Sequence, residues 1–177
     1  MRDKFRNEFF EALYDATKAA FEKLFETKEH FYYCTITITG DGLTPVISAW
    51  SKEALERESD GDEETKEDIE WSYADSPYYA WEYDSFNEVT DLLDERSEMS
   101  EMSDDEWEEE LELCLDVMEE VMSKLDKEGL FVKNQDRDDI VIAAEIMPPD
   151  ESNTERVSRL NPEEGAMFCR WLEEVAE

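Results

Sequence analysis

A chain of 177 residues is long enough to bury one real hydrophobic core and short for two, so a single acidic α/β domain spanning 1–177 is expected. Its 51 acids against 17 lysines and arginines give a formal net charge of −34. Such a field repels nucleic acid and anionic membranes, speeds encounter with basic partners, and argues against direct nucleic-acid binding. With 40% hydrophobic residues and 12% aromatics, the chain can still offset the entropy of ordering its backbone, which separates it from disordered acidic tails.

From Asp3 to about Thr27, Phe5, Phe9, Leu13, Ala16, Ala20 and Leu24 recur at helical spacing, with Phe10, Phe21 and Phe25 widening the stripe into the buried face of a long helix. His30 to Thr39 alternates Tyr32, Cys34, Ile36 and Ile38 with Tyr33, Thr35, Thr37 and Thr39, the period of a half-buried strand. Gly40-Asp41-Gly42 supplies a tight turn. A second strand, Leu43 to Trp50, completes a hairpin, and Pro45 suits an edge position. Ser51 is the expected N-cap of a short helix ending near Ser59, before the loop Ser59-Asp60-Gly61-Asp62.

The segment Asp68 to Phe86 has no clean period. Trp71, Tyr73, Tyr78, Tyr79, Trp81 and Tyr83 are interleaved with Glu70, Asp75, Glu82 and Asp84 around Pro77. Large aromatics usually serve cores, which makes this a segment packed onto the sheet. The same rings beside carboxylates also make seats for lysine and arginine. Asp84 or Ser85 is placed to cap a helix carrying Phe86, Val89, Leu92 and Leu93 to about Glu98.

Ser103-x-x-Glu106 is a capping box opening a long helix with the stripe Trp107, Leu111, Cys114, Leu115, Met118, Met122 and Leu125, ending at Gly129. Its opposite face, Asp105, Glu109, Glu112, Asp116 and Glu120, is negative throughout. Asp139 to Met147 reads as a third strand, its apolar run Ile140 to Ala144 suggesting a central position. Pro148-Pro149 ends it. After a polar stretch, Asn161-Pro162-Glu163-Glu164 reads as the start of a last helix burying Met167, Phe168, Trp171, Leu172 and Val175.

The excess charge is not spread evenly: residues 53–128 hold 31 acids against 5 bases, while residues 1–52 hold 8 against 7. Salt adaptation would be expected to acidify the whole surface, so the asymmetry favours a dedicated acidic face over halophily.

Motifs for chemistry are missing. The one histidine, His30, has no second histidine for a zinc site and suits a surface or capping role. No nucleophile elbow, phosphate-binding loop, HExxH or dinucleotide fingerprint occurs, so neither catalysis nor a cofactor is expected. Asp60 to Glu64 and Asp136 to Asp139 lack calcium-loop spacing, and no metal site is assigned. Cys34, Cys114 and Cys169 are far apart and set among apolar residues, which suits reduced core positions. No stretch has the apolar length of a membrane span, and Met1-Arg2-Asp3-Lys4 leads into an acid-bearing amphipathic pattern unlike a signal peptide, so a cytoplasmic protein is expected.

Most of the chain resembles a bacterial family, the domain-of-unknown-function family 4303. The resemblance rests on Trp81-Glu82, on Leu125-Asp126-x-Glu128-Gly129-Leu130-Phe131, on Arg137 before a strand and on Leu160-Asn161-Pro162. The family's usual small residue after the phenylalanine is Val132 here. The resemblance implies a place in bacterial conflict systems, including as immunity proteins beside polymorphic toxins, and carries over no catalytic residue. Gly129 reads as a helix stop, Phe131 as a core plug, and Asn161 with Pro162 as a helix start.

The expected fold is a small sheet, hairpin plus central strand, packed with long amphipathic helices. The expected function is an immunity or inhibitor protein that neutralises a basic toxin, one acting on nucleic acid. Glu70, Trp71, Tyr73, Asp75, Tyr78, Tyr79 and Glu82, with Asp105, Glu109, Glu112 and Asp116, are the expected partner-binding residues. The alternative is a DNA-mimicking anti-defence protein whose carboxylates imitate phosphates and occupy a nucleic-acid enzyme.

Overall fold

A computed structural model describes residues 2–96 and 102–175. Among these, seven α-helices surround a three-stranded mixed sheet, an α/β fold as expected. The elements run α1 (Arg2–Phe25), β1 (Phe31–Thr39), β2 (Val46–Ser51), α2 (Lys52–Glu58), α3 (Glu63–Ile69), α4 (Asn87–Asp94), α5 (Asp104–Lys127), β3 (Val141–Met147), α6 (Glu151–Leu160) and α7 (Ala166–Glu174).

The strand order is β2-β1-β3, with β2 antiparallel and β3 parallel to β1. The central strand is therefore β1, and the expectation that the Ile140 run is central is corrected: β3 lies at an edge. Its apolar run reflects burial on both faces, because α6 covers its open side with side chains in place of a fourth strand. Asn153 and Asn161 each make a two-point pair with the main chain of β3, at Ile146 and Ile142, and Arg156 Nε donates to Ala144 O at 2.9 Å.

β1 is likewise not half-buried. Residues 31–38 are all buried, because the threonine-bearing face is covered as well as the isoleucine-bearing one. Cys34, Ile36 and Ile38 join Ile47, Ala49, Ile142, Ala144 and Ile146 in the apolar core, and α5 packs against β3 and β1. On the other face, Tyr33 and Thr35 meet Glu145 of β3, and the irregular segment after α3 lies across them. Trp71 stands edge-on to Tyr33 at 5.8 Å, Ser48 Oγ donates to Tyr73 O at 2.7 Å, and Trp50 Nε1 donates to Ser72 O at 2.7 Å.

Local signals explain most boundaries. Ser51 caps α2, accepting from Ala54 N at 2.9 Å, and Ser103 with Glu106 forms the capping box of α5. Gly129, at φ +79°, ends α5 and turns Phe131 into the core against Phe21 and Phe25. Other expectations are corrected. β2 begins at Val46, opposite Thr37, and Leu43 to Pro45 lie in the unpaired connection before it. Neither Asp84 nor Ser85 caps α4, since both lie inside a 3₁₀ turn, Tyr83–Phe86, that leads into it; α4 stops at Asp94, and Glu98 lies outside the described residues.

The polar stretch after Pro149 is a helix, α6, capped by Asp150 through Ser152 N at 2.9 Å. Asn161 ends α6 instead of starting the last helix, because its side chain is committed to β3. The last helix starts at Ala166, after Gly165, and is short. Leu172 and Cys169 on it face outward, leaving Phe168 and Trp171 as its buried face, whereas Cys34 and Cys114 are core residues as expected.

Candidate functional site

The expected recognition segment divides into residues that hold the fold and residues that face solvent. Tyr78 is only 7% exposed: its hydroxyl donates to Glu29 at 2.6 Å, in a knot where Glu29 also accepts from Ser51 Oγ and from Arg57 at 3.1 Å. Burial works against the charge on Glu29, but these donors outweigh it and hold its carboxyl below the usual range. Trp71 is half-buried; its Nε1 donates to Glu174 at 2.8 Å, and the Arg170 guanidinium lies 5.6 Å from its ring while bonding Glu70 at 2.6 Å. Tyr73 is half-buried against Tyr79, Asp75 is exposed and accepts from Ser72 Oγ, and Glu82 pairs with Lys23 at 2.7 Å.

Tyr79 and Tyr83 are 47% and 46% exposed. The backbone explains why they differ from their neighbours. Ala80 and Glu82 adopt left-handed conformations, φ +51° and +53°, uncommon for residues with a Cβ. Ala80 N donates to Ile47 O at 3.0 Å, so the first of these turns is tied to the edge of β2. The two reversals set Tyr78 inward and Trp81 against it, ring to ring at 5.5 Å, while the tyrosines on either side look out.

Both tyrosines line a groove of about 870 Å³ between the hairpin turn, the 3₁₀ turn, α4 and the first half of α5. Leu43, at 63% the most exposed large apolar side chain among the described residues, lines it too. Thr37 and Val46 contribute from the sheet, and Thr44 Oγ1 and Thr90 Oγ1, 2.9 Å apart, link the turn to α4. The indole of Trp107 lies on Gly42. A Cβ there would stand 2.1 Å from Trp107 Cη2, and Gly42 is at φ +68°, so the turn accepts only glycine. Sequence spacing placed Trp107 on the core stripe; in the structure it is half-buried and lines the groove.

Most of the bases pair with acids inside the fold. From α1, Arg2 bonds Glu109 at 2.8 Å, Arg6 bonds Glu120 at 2.6 Å and Lys18 bonds Glu128 at 3.2 Å; Arg159 of α6 holds Glu119 at 2.7 Å. Glu109 is thus neutralised locally. Asp105 and Glu112 form no ion pair among the described residues, and neither does Asp116, which acts on Arg159 at longer range. Asp41 and Asp94, which line the groove, also form no ion pair among the described residues. Glu88 and Asp91 of α4, Glu95 just after it, and Asp104 and Glu108 of α5 likewise form no ion pair among the described residues.

One buried carboxylate was not anticipated. Glu145 of β3 sits under the irregular segment, accepting from Tyr33 OH and from Thr35 Oγ1, the latter at 2.5 Å. Burial pushes its pKa up, against the pull of these hydroxyls and of Arg156. Alternation around Ile142 to Ile146 places it on the Thr35 face, but only the pairing of β1 with β3 brings it to Tyr33. His30 is exposed, with Nδ1 2.6 Å from Glu53. Among the described residues no three His, Cys, Asp or Glu side chains gather to hold a metal ion, and no helix is long and apolar enough to cross a membrane.

Apart from Trp81-Glu82, the stretches carrying the family resemblance meet at one joint. Arg137 Nε donates to Asp126 at 2.7 Å, its Nη1 to Ile140 O at 2.8 Å, and its Nη2 to Leu160 O at 2.9 Å and Asn161 Oδ1 at 3.1 Å. This ties the end of α5, the start of β3 and the end of α6, a structural role for the motif. No curated protein and no solved structure matches the chain. The model described as "Domain of unknown function (DUF4303)" matches residues 13–162, from within α1 to the turn after Asn161, and the chain belongs to that family.

Proposed function

We propose that this protein works inside the cell by binding and neutralising a basic protein, as an immunity or inhibitor protein against a toxin that acts on nucleic acid, and that it carries out no catalysis of its own. The observation that carries this reading is the coincidence of two features at one place. The exposed aromatic and aliphatic side chains Leu43, Tyr79 and Tyr83 line one groove, and among the described residues Asp41 and Asp94 in that groove, with Glu88 and Asp91 of α4 and Asp104, Asp105 and Glu108 of early α5, form no ion pair. Acids already paired inside a fold contribute little outward field, whereas bare ones steer a basic partner and raise its association rate. Desolvated aromatic anchors then set how slowly it leaves.

The test has two steps. The chain is used as bait in lysate of the native host at low and moderate salt, and captured proteins are identified by mass spectrometry. The gene of the retained basic protein is then expressed with and without this chain. One salt-resistant basic protein whose toxicity is relieved by co-expression is the expected result. A broad set of DNA-binding proteins, all lost as salt rises, would overturn it in favour of DNA mimicry.

A further inference from the structure

We infer that the groove between the hairpin turn and α4 seats an arginine-bearing segment of the basic partner. This rests on the reading above and adds to it the place and the chemistry of the anchor. Tyr79 and Tyr83 present ring surface, and Asp41 and Asp94 present uncompensated carboxylates, within one cavity of about 870 Å³. A volume in that range holds a side chain together with the residues flanking it. Rings beside carboxylates suit a guanidinium better than an ammonium ion. The planar group stacks on an aromatic face, sheds water more readily, and forks two donors onto a carboxylate.

The chain itself provides the comparison. Arg96, which lines the same groove together with Glu110, lays its guanidinium over the Phe5 ring at 3.9 Å. The partner's arginine stacks on Tyr79 or Tyr83 as Arg96 stacks on Phe5. The uncommon backbone at Ala80 and Glu82 is what turns the two tyrosines toward the groove, and such conformations persist where the surrounding structure holds them.

The experiment is isothermal titration of the full chain, at about 0.15 M salt, with a short arginine-rich peptide and its lysine counterpart. Three double variants are compared: Tyr79→Ala with Tyr83→Ala, Asp41→Asn with Asp94→Asn, and a control, Glu64→Gln with Glu67→Gln, on α3. The arginine peptide is expected to bind about tenfold more tightly than the lysine peptide, each groove pair to lose about tenfold in affinity, and the control to lose almost none. Equal affinity for both peptides, equal losses in groove and control variants, or no binding by the intact chain would each overturn the groove assignment. The broader reading fails separately, when co-expression relieves no toxicity. If relief persists undiminished in the groove variants, the reading stands and the groove assignment falls.

Discussion

Asn161 holds the main chain of Ile142 at both of its polar atoms: Asn161 Oδ1 accepts from Ile142 N at 3.0 Å, and Asn161 Nδ2 donates to Ile142 O at 2.7 Å. One amide thus does for the edge of β3 what a neighbouring strand would do. Asn153 repeats the arrangement four residues along, with Ile146 N at 2.8 Å and Ile146 O at 3.0 Å. Buried main-chain groups need partners, and an edge strand with both faces covered has no water to supply them.

Removing the amide should therefore cost more than one ordinary hydrogen bond. Asn161→Ala leaves the N–H and C=O of Ile142 unpaired and takes an acceptor from Arg137, with an expected loss of about 3 kcal/mol. Asn161→Asp keeps the acceptor but faces Ile142 O without a donor, and should fall between. Urea unfolding reads both, as a lower midpoint with an unchanged slope. A loss within about 0.5 kcal/mol for Asn161→Ala would mean that the edge is satisfied in another way.

Gly42 and Trp107 make a second test, of the groove's wall. The φ of +68° disfavours any side chain, and the Cβ of alanine would overlap the Trp107 ring. Gly42→Ala should lose about 1 kcal/mol from the backbone alone and more from displacing the indole. In a Trp107→Phe background the second part should shrink while the first remains, so the double-mutant cycle should show a positive coupling. Identical losses in the two backgrounds would remove Trp107 from the turn.

Glu145 gives a prediction in pH. Its folded pKa is raised by burial, so the protonated form is the one the fold favours. Its stabilising contribution is then fully present below the ordinary carboxyl pKa of about 4.5 and is lost as pH rises through the raised folded value, at about 1.4 kcal/mol per unit of difference. Tyr33, Thr35, Tyr73 and Arg156 are the groups acting on or with it. Glu145→Gln removes this titration. The variant should gain on the native chain between acid and neutral pH, since the other carboxylates titrate alike in both. Parallel stability curves from urea melts across that range would show that Glu145 is ionised in the fold without penalty.

Legibility in the sequence followed the range of the interactions. Capping at Ser51 and Ser103, the stop at Gly129, the stripe of α1 and that of α5 from Cys114 onward rest on neighbours within a few residues, and the structure keeps them. What failed was decided at a distance. Asn153 and Arg156 occupy the buried face of 151–160 to bond β3, so its hydrophobic period is thin although that face packs on the sheet. Asn161-Pro162 carries a helix-start signal locally, but the Asn161 side chain is already bonded to Ile142. The same limit applied to the site. Composition showed that aromatics and acids alternate over 68–86, but sorting inward from outward rings required the left-handed turns at Ala80 and Glu82, which no side-chain pattern announces.

That sorting makes opposite forecasts for rings twelve residues apart or fewer. Trp71 is fixed by Glu174, Tyr33 and Arg170, so Trp71→Ala should act on stability, at about 3 kcal/mol. Tyr79 and Tyr83 are half in solvent, and replacing either with alanine should change stability by about 0.5 kcal/mol or less while speeding dissociation of the captured partner. Charge reversal on α5 divides in the same way. Glu112→Lys removes a bare acid and should slow association alone, whereas Glu109→Lys also strands Arg2 beside a like charge and should lower the melting temperature as well. Stopped-flow association, dissociation by competition and thermal melts of the five variants separate the two classes. If Trp71→Ala were to speed dissociation without loss of stability, the contact surface would centre on α7 and Glu174, away from the hairpin groove.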